Sequence, residues 1–168
     1  MNREILFRAK SIQTGRWIFG YYFKDEDNKS YIGYMSKERY IPDTRDLGIV
    51  EYYENNPTYN WVFVKEEVVS ETVGEYTGLT DKNGTKIFEG DVIQSYHHRE
   101  PMGVAVIYWQ GSSFWCDLLS GSQFDCCNTL DEWDCECSLE IIGNIFDNKD
   151  IVDAREWSSD GEWLGDKA

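Results

Sequence analysis

Residues 75–93 read EYTGLTDKNGTKIFEGDVI, and this stretch places two turn signals between short strand-like runs. In the first turn, Asn83 and Gly84 predict a hairpin loop with positive φ, a conformation that costs glycine nothing and asparagine little. In the second turn, Gly90 frees the backbone and Asp91 offers a carboxylate to nearby N–H groups. We therefore predict that these four residues build a structural turn rather than a catalytic site.

Short strands and tight turns recur along the rest of the chain. Branched and aromatic residues are abundant, with 13 Ile, 10 Val, 7 Trp, 11 Tyr and 8 Phe against 4 Ala, and such residues favour strands. The spacing predicts a mainly β fold built as a small barrel or sandwich. We expect two packed β subdomains, 1–72 and 73–152, followed by a tail, 153–168, because no flexible linker separates the halves. Within the first half, SKERY at 36–40 is compatible with a turn of helix.

The charge of the chain restricts the partners that it can bind. A net charge of −15 argues against direct binding of nucleic acid, because phosphate contacts need clustered Lys and Arg. The N-terminus MNREILFRAK lacks the apolar core of a signal peptide, and no segment has the length of a membrane span. We therefore expect a cytoplasmic protein without membrane contact. The acidity is typical of a solvated surface, and attraction to a basic partner is the alternative.

The cysteines gather in one short region, with Cys126 and Cys127 adjacent and Cys135 and Cys137 two residues apart. If the second pair lies on a strand, both thiols share a face, and the first pair could complete a tetrahedral zinc site. The usual C-x2-C spacing is absent, and acidic neighbours favour protonated thiols. Reduced cysteines without a metal are therefore the main interpretation, and no cofactor is expected.

His97 and His98 are the two histidines of the chain, and they fall in a predicted hairpin loop. Neighbours on an extended chain point in opposite directions, so we interpret them as solvent-exposed rather than as a base or metal ligands. Nucleophile elbow, phosphate-binding loop and metalloprotease helix motifs are all missing from the sequence. We assign no catalytic residue and expect a protein that is not an enzyme.

An acidic run, FDCCNTLDEWDCECSLE at 124–140, holds six carboxylates and no Lys or Arg. It lacks the ordered spacing of a calcium loop. A solvated acidic patch is the main interpretation, and the alternative hypothesis is that this patch, with an exposed Trp133, docks a basic host or phage protein through Asp131, Glu132 and Asp134. The tail adds Trp157 and Trp163, which we expect to pack on the chain itself, on another subunit or on a partner.

Three segments carry a resemblance to a known family: REILFRAK at 3–10, ETVGEYTGLTDKNGTKIFEGDVI at 71–93 and LEIIGNIFDN at 139–148. Together they make the sequence similar to the YopX family of phage and prophage proteins. The chain departs from the family at Lys10 and across 36–60. The resemblance implies a phage or prophage origin and a mainly β fold with a small SH3-like barrel in the C-terminal half. It implies no catalytic residues.

For function, the sequence favours a non-enzymatic binding or assembly module that acts on a host or phage protein, either as a monomer or as a homo-oligomer. A small metal-dependent enzyme that uses the cysteine and carboxylate cluster is the alternative from a different class. A mimic of nucleic-acid charge, in which carboxylates stand in for phosphates, is a further alternative that the composition permits.

Overall fold

Antiparallel strands make up most of this computed structural model, which describes residues 4–40, 58–121 and 129–153. The chain separates into two compact units, which we call the N-terminal unit (Leu6–Val73) and the C-terminal unit (Gly74–Ala168 with Met1–Ile5). The prediction of a mainly β fold is confirmed. Among the described residues, each helix is too short or too polar to cross a membrane.

The N-terminal unit contains an antiparallel sheet in the order β4-β3-β2-β1, so each strand pairs with the next along the chain. A short 3-10 helix, Ser70–Thr72, follows the sheet. The strands are β1 (Phe7–Lys10), β2 (Trp17–Lys24), β3 (Ser30–Tyr40) and β4 (Thr58–Glu67).

The turn between β2 and β3 is fixed by one carboxylate. Asp25 accepts hydrogen bonds from the backbone N–H groups of Asp27 (3.0 Å) and Lys29 (2.9 Å), and Asn28 takes positive φ between them. Asparagine tolerates this conformation better than most residues, so the turn needs no glycine there. The predicted helical turn at 36–40 is wrong, because these residues continue β3 and pair with β4.

One face of this sheet forms the core of the N-terminal unit. Ala9, Ile32 and Val68 are buried at its centre. Successive side chains of a strand point to opposite faces, so the odd-numbered residues of β2, β3 and β4 lie on the other face. Partly buried side chains pack around the core from the same side, namely Phe7, Ile18, Tyr22, Tyr34 and Val73.

The C-terminal unit begins with a hairpin and continues into a four-stranded antiparallel sheet in the order β10-β7-β8-β9. The hairpin strands are β5 (Gly74–Thr80) and β6 (Lys86–Phe88). Two short helices, α1 (Leu130–Glu136) and α2 (Lys149–Asp153), accompany the sheet. The sheet strands are β7 (Asp91–His97), β8 (Glu100–Gln110), β9 (Ser113–Gly121) and β10 (Ser138–Asn144).

The core of the C-terminal unit joins α1 to the sheet. Leu130 and Trp133 lie three residues apart on the helix, so they share a face, and both are buried against the strands. Across the described ranges the strand pairings do not close into a barrel, and the SH3-like barrel stays a prediction. The buried strand residues of this core include Ile87, Ile93, Ala105, Ile107, Phe114 and Leu139.

Candidate functional site

The first predicted turn is organised by Asp81, a residue that the sequence reasoning did not single out. Its buried carboxylate accepts hydrogen bonds from the backbone N–H groups of Asn83 (2.9 Å) and Thr85 (2.8 Å). Gly84 reverses the chain with φ of +83°. Asn83 keeps negative φ, so the expectation of positive φ there is wrong. The carboxylate holds Asn83 in an ordinary conformation and leaves the reversal to the glycine.

The electrostatics of Asp81 follow from these bonds. Burial alone would raise the pKa of its carboxyl group, because the charged form loses water. Hydrogen bonds from the N–H groups of Thr85, Asn83 and Ile141 favour the charged form and outweigh burial, so the pKa is lowered. The Ile141 N–H lies 3.4 Å from the carboxylate and therefore links the turn to β10.

The second predicted turn is held by backbone and side-chain bonds together. Gly90 has φ of +82°, donates its N–H to the Ile107 carbonyl (2.8 Å) and accepts from the Ile145 N–H (2.9 Å). The buried Asp91 carboxylate accepts the Phe88 N–H at 2.8 Å. Gly90 and Asp91 thus connect β6, β8 and the segment after β10. This arrangement fits an architectural role for the turn.

Trp133 does not lie on the surface, so its predicted part in an exposed docking patch is wrong. Its side chain is only 1% exposed and packs in the core of the C-terminal unit. The acidic run forms a short helix, and the 3.6-residue period turns Trp133 inward with Leu130. Asp131, Glu132 and Asp134 remain on the exposed side.

The carboxylates of the acidic run have separate local roles. Glu132 accepts hydrogen bonds from the backbone N–H (3.1 Å) and hydroxyl (2.6 Å) of Thr129, which completes a capping box at the start of α1. Glu140 accepts hydrogen bonds from Lys82 and from the Tyr96 hydroxyl, each at 2.8 Å, and both lower the pKa of its carboxyl group. Trp157 and Trp163 lie outside the described residues.

The cysteines do not share one face of a strand. Cys135 is exposed on α1, whereas Cys137 is buried at the end of that helix. Burial raises the pKa of the Cys116 thiol, and the negative charge of Asp131 adds to the effect. No group of three or more His, Cys, Asp or Glu side chains in the described ranges is arranged to hold a metal ion. Cys126 and Cys127 lie outside those ranges, and the zinc site stays a prediction.

The histidines occupy a tighter turn than the sequence predicts. β7 ends at His97 and β8 begins at Glu100, so His98 and Arg99 form a two-residue loop. Both loop residues have positive φ, of 49° and 73°. The rings of His97 and His98 meet edge to face with centroids 4.2 Å apart, because this backbone is not extended.

Exposed apolar side chains gather on the outer face of the N-terminal sheet, which we call the aromatic face. Strand register brings its members together, since Met35 pairs with Phe63 and the neighbouring pair joins Lys37 to Trp61. The Phe63 ring lies over Gly33, where any other side chain would collide with it. Six large apolar side chains on this face are 47–65% exposed, namely Phe19, Tyr21, Met35, Tyr59, Trp61 and Phe63.

Two lysine side chains lie over tyrosine rings of the aromatic face and its neighbouring residues. The Lys37 ammonium lies 4.5 Å from the centre of the Tyr59 ring, and the Lys65 ammonium lies 4.9 Å from that of Tyr31. Residues 6–73 hold 9 Lys and Arg against 11 Asp and Glu, a net charge of −2, so the remaining residues carry −13 of the −15. The aromatic face therefore belongs to the nearly neutral part of an acidic chain.

Sequence reasoning missed the aromatic face because two of its strands, β2 and β4, carry apolar side chains on both sides. In β2, WIFGYYFK, the core residues Ile18 and Tyr22 alternate with Phe19, Tyr21 and Phe23. A half-exposed strand is normally recognised by apolar and polar alternation, and that contrast is absent here. The signal that could have found it is the excess of aromatic residues at odd positions.

Comparison with known families matches residues 6–153 to the YopX family, described as YopX protein. No curated protein matches the chain. Among solved structures, the crystal structure of protein EF1440 from Enterococcus faecalis is 17% identical, with a TM-score of 0.49, and the match covers 90% of this chain and 99% of that one. Because the family match spans most of the sequence, this chain belongs to the YopX family.

Proposed function

We propose that this protein is a non-enzymatic binding module that docks a host or phage protein through the aromatic face. The observation that carries the proposal is the exposure of six large apolar side chains on one surface. Apolar surface in water is unfavourable, and contiguous exposed patches of this kind mark interaction sites in soluble proteins. The proposal places the chain in the bacterial cytoplasm as a prophage product, with an SH3-like barrel in its C-terminal half.

The extent of the aromatic face suits a protein partner. A large side chain has a surface of about 200 Å², and these six are on average slightly over half exposed. Together they therefore expose roughly 700 Å². The largest apolar patch of a typical monomer is about 300–600 Å², and a standard interface takes about 800 Å² from each partner. Tyr, Trp, Phe and Met are also the residues that are enriched at the centres of interfaces.

The charges near the aromatic face indicate how a partner would approach. Lys37 and Lys65 keep their ammonium groups above tyrosine rings while remaining beside the apolar patch. A partner with an apolar centre and carboxylates at its rim would complement both features. Such docking depends mainly on apolar contact, so moderate salt should weaken it little.

The test is affinity capture from a lysate of the bacterial host with the wild type and the double variant Tyr21→Thr/Trp61→Thr. Threonine keeps strand propensity while removing exposed aromatic area. Ile12→Thr is the matched control, because Ile12 is 55% exposed in the same unit but outside the aromatic face. We expect a specific protein to be retained by the wild type and the control and lost by the double variant.

Other occupants of the aromatic face give different results. A nucleic acid would be removed by nuclease treatment of the lysate, and a second copy of the chain would appear as a dimer in light scattering. Wild-type protein that captures nothing, or a double variant that captures the same proteins as wild type, would contradict the proposal. Melting curves of all three proteins show whether the variants remain folded.

A further inference from the structure

A groove in the C-terminal unit is assigned no role by the proposed function. Residues from β5, from the adjoining ends of β8 and β9 with the turn between them, and from the first turn of α1 line it. Its volume is about 250 Å³. Sites for drug-sized ligands usually measure about 300–1,000 Å³, so this groove suits a single side chain better than a larger molecule.

The groove has an aromatic wall. Trp109 is 43% exposed, and its ring meets the buried Phe114 ring edge to face, with centroids 4.9 Å apart and planes at 71°. The Trp109 backbone N–H donates to the Glu89 carboxylate at 3.2 Å, which fixes the strand beneath the ring. The face of a tryptophan ring attracts a cation more strongly than the other aromatic side chains do.

The groove also carries one negative charge and several hydroxyl groups. Asp131 is exposed at its rim, and no Lys, Arg or His is among the described residues that line it. Thr77 and Ser113 add oxygen atoms, and Leu79 and Leu130 supply an apolar lining.

We propose that this groove binds an arginine side chain of a basic partner protein. The guanidinium plane stacks on Trp109, its N–H groups donate to the Asp131 carboxylate, and its methylene carbons contact the leucines. Arginine fits this set better than lysine, because the guanidinium both stacks on aromatic faces and pairs with a carboxylate through two parallel hydrogen bonds. The net charge of −13 on residues outside 6–73 would also attract a basic partner over a longer range.

The test titrates the full chain with N-acetyl-arginine amide and follows the Trp109 indole N–H signal by NMR at low salt. Trp109→Phe identifies that signal among the seven tryptophans. N-acetyl-citrulline amide is the neutral control ligand, since it keeps the shape of arginine without its charge. We expect a saturable shift with the arginine compound in the millimolar range and a much smaller one with citrulline.

Two isosteric variants separate the groove from general attraction. Asp131→Asn removes the groove carboxylate, and Asp134→Asn removes an exposed carboxylate from the same helix that does not line the groove. Both change the net charge by one. We expect Asp131→Asn to weaken binding at least fivefold and Asp134→Asn less than twofold.

Equal weakening by the two variants, equal shifts with both ligands, or no shift at about 50 mM arginine compound would overturn the groove proposal. None of these results depends on the aromatic face. Failure here is therefore distinguishable from failure of the capture experiment, which tests the proposed function.

Discussion

Gly84 and Gly90 both take positive φ, but their surroundings differ. A Cβ on Gly84 would meet nothing within 4 Å, whereas a Cβ on Gly90 would lie 3.2 Å from the Phe146 ring. We expect Gly84→Val to lower the free energy of unfolding by about 1–2 kcal/mol through backbone strain alone. Gly90→Val should cost more, because the strain is joined by a collision with packed neighbours. Urea denaturation measures both values.

Gly84→Asn is the control for this comparison, because asparagine adopts the left-handed region more readily than valine. We expect its stability to lie between those of the wild type and Gly84→Val. Equal costs for the two valine variants would show that packing around Gly90 does not matter, and wild-type melting of both would refute the structural role of the turns.

Asp81 should make stability depend on pH. Its carboxyl pKa is lowered in the folded protein, so its contribution is complete above the unfolded value near 3.9 and is lost as pH falls through the folded value. Asp81→Asn removes this charge and places an N–H donor against the backbone donors of the turn. We expect it to lower stability by about 1–3 kcal/mol at neutral pH.

The difference between wild type and Asp81→Asn should stay constant above the unfolded pKa near 3.9 and shrink as the pH is lowered from there through the lowered folded pKa, because the unfolded chain takes up the proton first. Chemical denaturation at several pH values measures it. A difference that also stays constant below the unfolded pKa would mean that the charge of Asp81 does not stabilise the turn.

At the scale of elements, the two-residue loop between β7 and β8 has an unusual sequence for its conformation. Both His98 and Arg99 have positive φ, the pattern of a type I′ turn, for which Asn-Gly is the favoured pair. We expect His98→Asn/Arg99→Gly to stabilise the protein by about 1 kcal/mol by relieving backbone strain. Thermal unfolding would show a higher midpoint, and an unchanged or lower midpoint would indicate that the histidine ring contact outweighs the strain.

Elements bounded by local turn chemistry could be predicted from the sequence. The hairpin strands flanking residues 81–85 follow from Asn83 and Gly84, because Asn and Gly favour a turn at their own position. The helix α1 was not predicted, because two turns in an acidic run give a weak periodic signal. The capping-box pair Thr129 and Glu132 is the local pattern that could have identified its start. Its inward face, Leu130 and Trp133, depends on strands that are distant in sequence.

Faces were harder to predict than elements. Strands β2 and β4 carry apolar residues on both sides, so their sequences alone do not show which side is exposed. That side is known only once the position of the core in the folded sheet is known. The groove around Trp109 joins three segments that are far apart along the chain, so no local pattern could identify it. The sequence therefore located the turns, but it did not reveal Asp81 as the residue that organises the first turn, nor the candidate binding surfaces.

At the scale of the whole molecule, the uneven distribution of charge should lower the stability of the folded protein. Residues outside 6–73 hold 7 Lys and Arg against 20 Asp and Glu, and their mutual repulsion opposes folding. Raising NaCl from about 0.01 M to about 1 M shortens the Debye length from about 30 Å to about 3 Å. We expect the melting temperature to rise by several degrees.

This salt effect should shrink near pH 4, where many carboxylates become protonated. Added salt also weakens surface ion pairs such as Lys82 with Glu140, which would lower the melting temperature. Pairs of this kind contribute little to stability, so this loss is small. A melting temperature that falls with added salt would show that attraction between charges outweighs repulsion in this protein.

The strand β4 has a consequence for handling the protein. It stands at one end of the N-terminal sheet order, and in the described ranges no strand pairs with its outer edge. Its sequence YNWVFV, 59–64, is uncharged, free of proline and rich in strand-forming residues, which is the signature of segments that stack into amyloid. Lys65, Glu66 and Glu67 follow directly and act as gatekeepers. Concentrated samples should therefore form fibrils when these three charges are neutralised.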